Sequence, residues 1–358
     1  MRTVSGYQMT SEYLRYIIGA TIMNKLERIE NTMVVEKPTS EIMIQEQYEN
    51  IVLLTEFSRE TAAHIREIFE GKVPEGHELY VLDFPLIPSE KTQHVLSSEG
   101  ELLGFRHINS SITNLDHHID NPAMWRRISS VNLATEYVRE YGNVQGDTVV
   151  IHHTDPDSVC SSIILVGTQL LGQDVIATHP QLIKELVKAG NSADHTGEEN
   201  DIADLLGAIE VKRDYHYSIR QLQRLLLGEA LDMQASELMS MRRQEREAAR
   251  QLVADGALED MGNGVMYAQF DHAIRAEFFP ALLPEATAFV LASPISKDLW
   301  QIKTRTGLSA PEGLVLNRLD LPSTNGRWNA LATKRSGGWS GHDPREYAHL
   351  VREKIAHS

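Results

Sequence analysis

Short apolar runs alternate with stretches of helical spacing through the first two thirds of the chain. Ile51-Val52-Leu53-Leu54, Leu79-Tyr80-Val81-Leu82 and Thr148-Val149-Val150-Ile151 predict buried strands. Residues 59–69, 130–141 and 159–171 predict helices between and after them. Strands alternating with helices imply a mostly parallel sheet covered on both faces. Functional groups in such sheets gather beyond the carboxyl ends of the strands. Asp83 stands there after the run at 79–82, and His153, Asp155 and Asp157 follow the run at 148–151.

Residues 215–255 contain no proline and one glycine, Gly228, with Leu222, Leu225 and Leu226 at helical spacing. They predict a long connecting helix or a helical hairpin. The run Arg242-Arg243-Gln244-Glu245-Arg246-Glu247 within it reads as a solvated face rather than a nucleic-acid patch. Past Met261-Gly262-Asn263-Gly264, strands are expected at 265–270, 288–292 and 299–304. The expected fold class is α/β, with a parallel-sheet domain at 1–214, a helical connector at 215–259 and a smaller α/β domain at 260–358.

Composition narrows the function classes. The 358 residues are 42% hydrophobic and 23% charged, enough for two globular cores. A formal net charge of −16 argues against broad attachment to long nucleic acid, which phosphate neutralisation drives. Cys160 is the one cysteine, which excludes an internal disulfide and suits a reducing compartment. No apolar run approaches the ~20 residues of a membrane helix. The stretch at 17–23 follows Glu12 and Arg15 and makes a poor signal peptide. A soluble, cytoplasmic protein is expected, with no membrane partner; a homodimer is left open.

Two acidic, histidine-bearing segments suggest metal chemistry. One is Asp116-His117-His118; the other is His153-Thr154-Asp155-Pro156-Asp157-Ser158. Histidine and carboxylate together suit Mn²⁺ and similar divalent ions. His153, Asp155 and Asp157 share a face if the chain stays extended as it leaves the sheet. Ser158 would then cap a helix beginning near Val159. His152 competes with His153, and strand alternation lets only one of them face the metals. The plain alternative is a helix N-terminus capped by Asp157 and Ser158. Near the C-terminus, Arg327, Lys334, Arg335 and His342 lie among Gly326, Gly337, Gly338 and Gly341. Glycine lets backbone N–H groups approach a phosphate, and Trp328 or Trp339 can offer a base a stacking face. The alternative there is a surface loop with its aromatic residues in the core.

These segments resemble the DHH phosphoesterase family. Its first motif, His-x-Asp-x-Asp-Gly-x-x-Ser, is similar to His153 through Ser161, with Ser158 in place of the usual Gly, a pattern also seen in family-type pyrophosphatases. Its second, an Asp after an apolar strand, is similar to Tyr80-Val81-Leu82-Asp83. Its third is Asp116-His117-His118, and a less distinctive fourth position falls on Asp194. The tail resembles the family's associated C-terminal domain, whose glycine-rich, histidine-bearing loop would be Gly337-Gly338-Trp339-Ser340-Gly341-His342. Here the second and third motifs precede the first, which looks like a circular permutation.

The resemblance implies two divalent ions, Mn²⁺ before Mg²⁺ or Co²⁺. His153 and Asp155 would hold one, Asp157, His117 and Asp194 the other, and Asp83 both. Asp116 would orient its neighbours and His118 would meet the scissile phosphate. Arg327, Lys334, Arg335, Gly337, Gly338, Gly341 and His342 would bind substrate. The implied activity is that of a nanoRNase-like phosphodiesterase releasing nucleoside 5′-monophosphates from short oligonucleotides or single-stranded ends. A 3′-phosphoadenosine 5′-phosphate phosphatase, a cyclic-dinucleotide phosphodiesterase, a pyrophosphatase and a nucleotide-sensing module are the alternatives.

Overall fold

The computed structural model of the chain describes residues 44–48, 51–54, 78–84, 95–96, 102–103, 105–109, 112–118, 128–144, 146–333 and 337–358. The helix expected at 59–69, together with Lys334 and Arg335, lies outside the described residues. The three apolar runs are strands, as expected. Strands β1 (Ile44–Tyr48), β2 (Ile51–Leu54) and β3 (Leu79–Leu82) are followed by a separate ladder of β4 (Val95–Leu96) and β5 (Leu102–Leu103). Strands β6 (Phe105–Asn109), β7 (Ile112–Leu115) and β8 (Thr148–Ile151) complete a sheet of order β1-β2-β8-β3-β7-β6. Its four central strands are parallel and its two edges antiparallel.

Register decides what meets at the carboxyl edge. Leu82 lies opposite Leu115, and Val81 lies opposite Val150. The loops opening at Asp83, Asp116 and His152 therefore leave neighbouring strands at the same level. Val149, Val150 and Ile151 are fully buried, and burying such a side chain is worth about 1.5–3 kcal/mol.

Helix α1 (Ser130–Tyr141) precedes β8, and α2 (Pro156–Val166) follows it with all eleven residues buried. The start of α2 corrects the sequence reading. Asp155, not Ser158, is its N-cap, accepting the Ser158 N–H at 2.9 Å. Proline suits the first helical position and Asp the cap, so the helix begins three residues before Val159. It also ends early: Gly167, at φ +129°, separates it from a 3₁₀ turn at Thr168–Leu171.

Next come α3 (Gln173–Thr178) and α4 (Leu182–Asn191), which runs into a π-helical turn at Ser192–Thr196. After α5 (Asp201–Ile209), residues 215–254 form the helical hairpin expected there, of α6 (Tyr215–Leu226) and α7 (Met233–Ala254). The chain reverses near Gly228, at φ +69°, a conformation that glycine adopts without steric cost. Asp232 caps α7 and binds Tyr217 Oη and Gln221 Nε2 of α6, each at 2.8 Å.

The charge run on α7 is only partly the solvated face expected of it. Arg242 and Arg246, four residues apart and hence on one face, are buried against Asp204 of α5 and the Phe278 ring. Glu277 joins this clasp through Arg242 and Arg275, each at 3.4 Å. Burial alone would raise its carboxyl, but Arg242, Arg275 and Arg305 bring it down to about 2. A depressed carboxylate contributes stability that is present above its ordinary value of 4.5 and drains as pH falls through 2. Glu277→Gln should therefore cost about 2–3 kcal/mol at pH 7 and much less at pH 2. Urea unfolding at the two pH values measures this, and an equal cost at both would contradict it.

A second sheet has the order β13-β14-β12-β11-β10-β9. It contains β9 (Glu259–Asp260), β10 (Val265–Gln269), β11 (Ala288–Ser296), β12 (Leu299–Thr306), β13 (Asn325–Arg327) and β14 (Ala330–Ala332). Only β10 and β11 pair in parallel. Short α8 (Phe279–Leu282) and C-terminal α9 (Pro344–Ala356) accompany it. Both sheets belong to one compact unit, residues 42–358. Among the described residues no helix is long and apolar enough to cross a membrane.

Candidate metal centre

Beyond the carboxyl ends of β3 and β7, four buried or nearly buried side chains converge: Asp83, His117, Asp157 and Asp194. His117 Nδ1 lies 3.5 Å from Asp83 and 3.2 Å from Asp157, while its Nε2 lies 3.6 Å from Asp194 Oδ2. Each comes from a different element. Asp83 turns out of β3 at φ +61°, left-handed backbone that Asp tolerates better than most residues. Ser158 Oγ donates to its Oδ2 at 2.8 Å and Ser130 Oγ to its Oδ1 at 3.2 Å.

Asp157 reaches the cluster from the first turn of α2, not from an extended chain. Its two oxygens accept the N–H groups of Ser130 and Val131, at 2.7 and 2.9 Å, and so cap the facing helix α1. Gly190 on α4 makes room for this, since a Cβ there would stand 2.7 Å from Val131 and 3.0 Å from the Asp157 carboxylate. Asp194 sits in the π-helical turn that ends α4.

Electrostatics mark the cluster as short of cations. Burial, with Asp155, Asp157 and Asp194 close by, pushes the Asp83 carboxyl well above the usual range. Burial and Asp194 also raise Asp157, against the pull of His117. Burial would raise Asp194 too, but Arg327, His117 and His195 hold it well below. Asp194 Oδ2 is buried without a hydrogen-bond partner. A divalent ion would answer both the crowded carboxylates and the orphaned oxygen. Asp83, His117 and His118 form one set spaced to hold an ion; His117, Asp157 and Asp194 form another.

Asp116 stands behind this layer, fully buried. Its Oδ1 accepts from the backbone N–H and Nδ1 of His118, at 3.0 and 2.7 Å. A proton on Nδ1 leaves His118 Nε2 as an acceptor facing the cluster. Burial and His117 lower the His118 pKa, against Asp116.

The other segment is arranged differently. His152 Nδ1 and His153 Nε2 are 2.9 Å apart, so the two rings meet rather than diverge. The strand ends at Ile151, and its alternation of faces no longer governs them. His153 is exposed. Asp155 spends Oδ1 on the α2 cap but remains near enough to Asp83 to raise it. Neither residue joins the two ligand sets above.

From the second sheet, Arg327 enters the cluster directly. Its Nη1 lies 2.6 Å from His117 Nε2 and 3.1 Å from His118 Nε2, and its Nη2 lies 2.5 Å from Asp194 Oδ1. Two residues that the sequence reading missed hold this sheet in place. Arg305 donates to the Asp194 carbonyl at 2.5 Å and Asn329 Nδ2 does so at 2.9 Å. No local pattern marks either one, because their partner lies more than a hundred residues away.

The glycine-rich loop is not brought to the cluster. Trp339 pairs with Trp300 of β12, Gly338 N–H donates to Thr333 at 2.9 Å, and a Cβ on Gly341 would strike the Trp339 ring. Gly337 and His342 are exposed, and among the described residues neither makes a polar contact with the cluster. Trp328 is 4% exposed and stacks at a tilt on His195, so it is core rather than a platform for a base.

No protein-family model matches the chain, and neither does any curated protein. Among solved structures, a pGpG-specific phosphodiesterase, PggH, from Vibrio cholerae is 12% identical, with a TM-score of 0.39 over 59% of this chain and 81% of that one. Exonuclease RecJ bound to manganese is 11% identical, with a TM-score of 0.36 over 86% and 76%. An uncharacterised protein from Helicobacter pylori G27 is 14% identical, with a TM-score of 0.21 over 84% and 90%. Likeness this slight leaves the chemistry to rest on the chain's own residues.

Proposed function

We propose that the chain is a metal-dependent phosphodiesterase that hydrolyses short oligonucleotides or single-stranded ends to nucleoside 5′-monophosphates. One observation carries this reading: a buried cluster of three carboxylates and a histidine, at the carboxyl edge of a parallel sheet, faced by a guanidinium from a second sheet. Asp83, His117, Asp157 and Asp194 would hold divalent ions, Mn²⁺ by the chemistry of the donor set, with His153 and Asp155 completing a second site. The chemistry supplied by two ions held there is polarisation of a phosphoryl oxygen and acidification of an attacking water.

The chain's own groups do the rest. Ser130 and Ser158 fix the Asp83 carboxylate, and Asp116 fixes the ring of His118 with Nε2 towards the substrate. Arg327 supplies a fork of donors suited to a phosphate. Residues 260–358 would act as the substrate-binding domain, with Lys334, Arg335, Gly337, Gly338, Gly341 and His342 meeting the far end of a short chain. A compact basic contact on an acidic protein suits a substrate with few phosphates.

A second reading, pyrophosphatase, draws on one observation: Ser158, which stands where the resembled motif has Gly, donates to Asp83. A Mn²⁺-supplemented panel separates the two. It compares di- to pentanucleotides, longer single strands, 3′-phosphoadenosine 5′-phosphate, cyclic dinucleotides and pyrophosphate. Di- to pentanucleotides or longer single strands should yield 5′-monophosphates with kcat/KM at least about tenfold above 3′-phosphoadenosine 5′-phosphate, cyclic dinucleotides and pyrophosphate, a difference of roughly 1.4 kcal/mol. Equal or faster turnover of pyrophosphate would overturn the oligonucleotide reading.

A further inference from the structure

The guanidinium of Arg327 lies where the cluster's ligand atoms point. Arginine has only donors, so the 2.6 Å approach of Nη1 requires a bare lone pair on His117 Nε2. The ring proton then sits on Nδ1, facing Ser130 Oγ and Asp157. Two routes exist for an ion to bind this ring. If it takes Nε2, it needs the lone pair that Arg327 holds. If it takes Nδ1, the proton moves to Nε2 and points at Nη1, donor against donor. Either way the guanidinium has to leave His117, and a dication repels it as well.

From this, and resting on the metal-dependent reading above, we infer that Arg327 is a built-in stand-in for the ion. Metal loading at His117 and the Arg327–His117 contact exclude each other, and the released guanidinium becomes the group that meets a substrate phosphate. The displacement is confined to one side chain. Arg305 on β12 and Asn329 in the β13–β14 turn hold the Asp194 carbonyl, not its carboxylate, so the edge of the sheet that carries Arg327 stays docked while Arg327 lets go. Tethered on β13, the freed guanidinium stays beside the ions, within reach of a phosphate that they bind.

The test is Mn²⁺ binding by calorimetry to wild type, Arg327→Met and Arg275→Met. Charge-assisted bonds of this kind correspond to a ten- to hundredfold effect, so Arg327→Met should tighten at least one Mn²⁺ site by about tenfold or more. Arg275 pairs with Glu210, Glu245 and Glu277 rather than with the cluster, so Arg275→Met removes a cation without freeing His117 and should tighten binding much less. Equal tightening in both variants, or none in Arg327→Met, overturns the inference while leaving the metal reading intact. A second measurement needs no variant: phenylglyoxal labelling of wild type, followed by mass spectrometry of the Arg327 peptide. Labelling should rise when Mn²⁺ is added; unchanged protection in protein shown to bind Mn²⁺ also overturns it. Absence of any Mn²⁺ binding to wild type removes the metal reading, and this inference with it.

Discussion

Asp83→Asn is expected to abolish hydrolysis and, at the same time, to make the metal-free protein more stable. The two effects share one cause. Asp83 is buried with Asp155, Asp157 and Asp194 as charged neighbours, and its carboxyl is raised well above the usual range. A carboxylate raised on folding costs stability as pH climbs from its ordinary value through the raised one, so at neutral pH the amide should be the easier group to bury. Asn fits the hydrogen bonds because the Ser130 and Ser158 hydroxyls can each donate or accept. The metal-free melting temperature should rise. Activity should fall at least about 10³-fold, since one lost electrostatic contact alone costs about 10²–10³. Elemental analysis should find fewer than two Mn²⁺ per chain. Two tightly bound ions in Asp83→Asn, or a lower metal-free melting temperature, would remove Asp83 from the centre.

Asp157→Ala should behave in the opposite way, losing stability and activity together. Its carboxylate caps α1 through two backbone N–H groups, and truncation strands both in a buried place. An orphaned buried donor costs about 1–3 kcal/mol, so the pair should cost about 2–6 kcal/mol in urea unfolding without metal. The loss should appear locally as faster amide exchange at Ser130 and Val131. If Asp157→Ala were as stable as wild type, its carboxylate would be a ligand alone, and α1 would be held by something else.

The contrast between these two aspartates shows what the sequence does and does not reveal. The strands at 51–54, 79–82 and 148–151 were legible because runs of three or four buried residues, at 51–53, 79–82 and 149–151, leave an apolar run with no polar alternation. Asp83 and Asp157 were legible as acidic residues just past predicted strands, and His117 and Asp194 only through a resemblance to known motifs. Asp157 as the cap of another helix was not, because that bond spans 26 residues and leaves no local pattern. The same holds for Arg305 and Asn329, whose partner lies over a hundred residues away. Arg242 and Arg246 misled for the opposite reason. Charged residues on a helix normally face water, and Asp204, Glu277 and the Phe278 ring opposite them turn these two inward. At 155–158 the local rules were sufficient but were applied to the wrong residue: Asp followed by Pro outranks Ser as a helix start.

The place of β8 in its sheet bears on how the molecule is made. Strands β2 and β3 are not neighbours; β8 lies between them and pairs with both. A nascent chain that has not yet released residue 151 therefore carries two apolar strands with open inner edges and nothing native to fill the gap. Such edges recruit strands from other chains, and parallel pairing across long loops closes slowly. Synthesis should thus pass through a stage that depends on chaperones or on low local concentration, ending when Thr148–Ile151 slides between its partners. The insertion that seals those edges also carries in α2 and Asp157, so the strand that ends the risk of misassembly brings part of the centre with it.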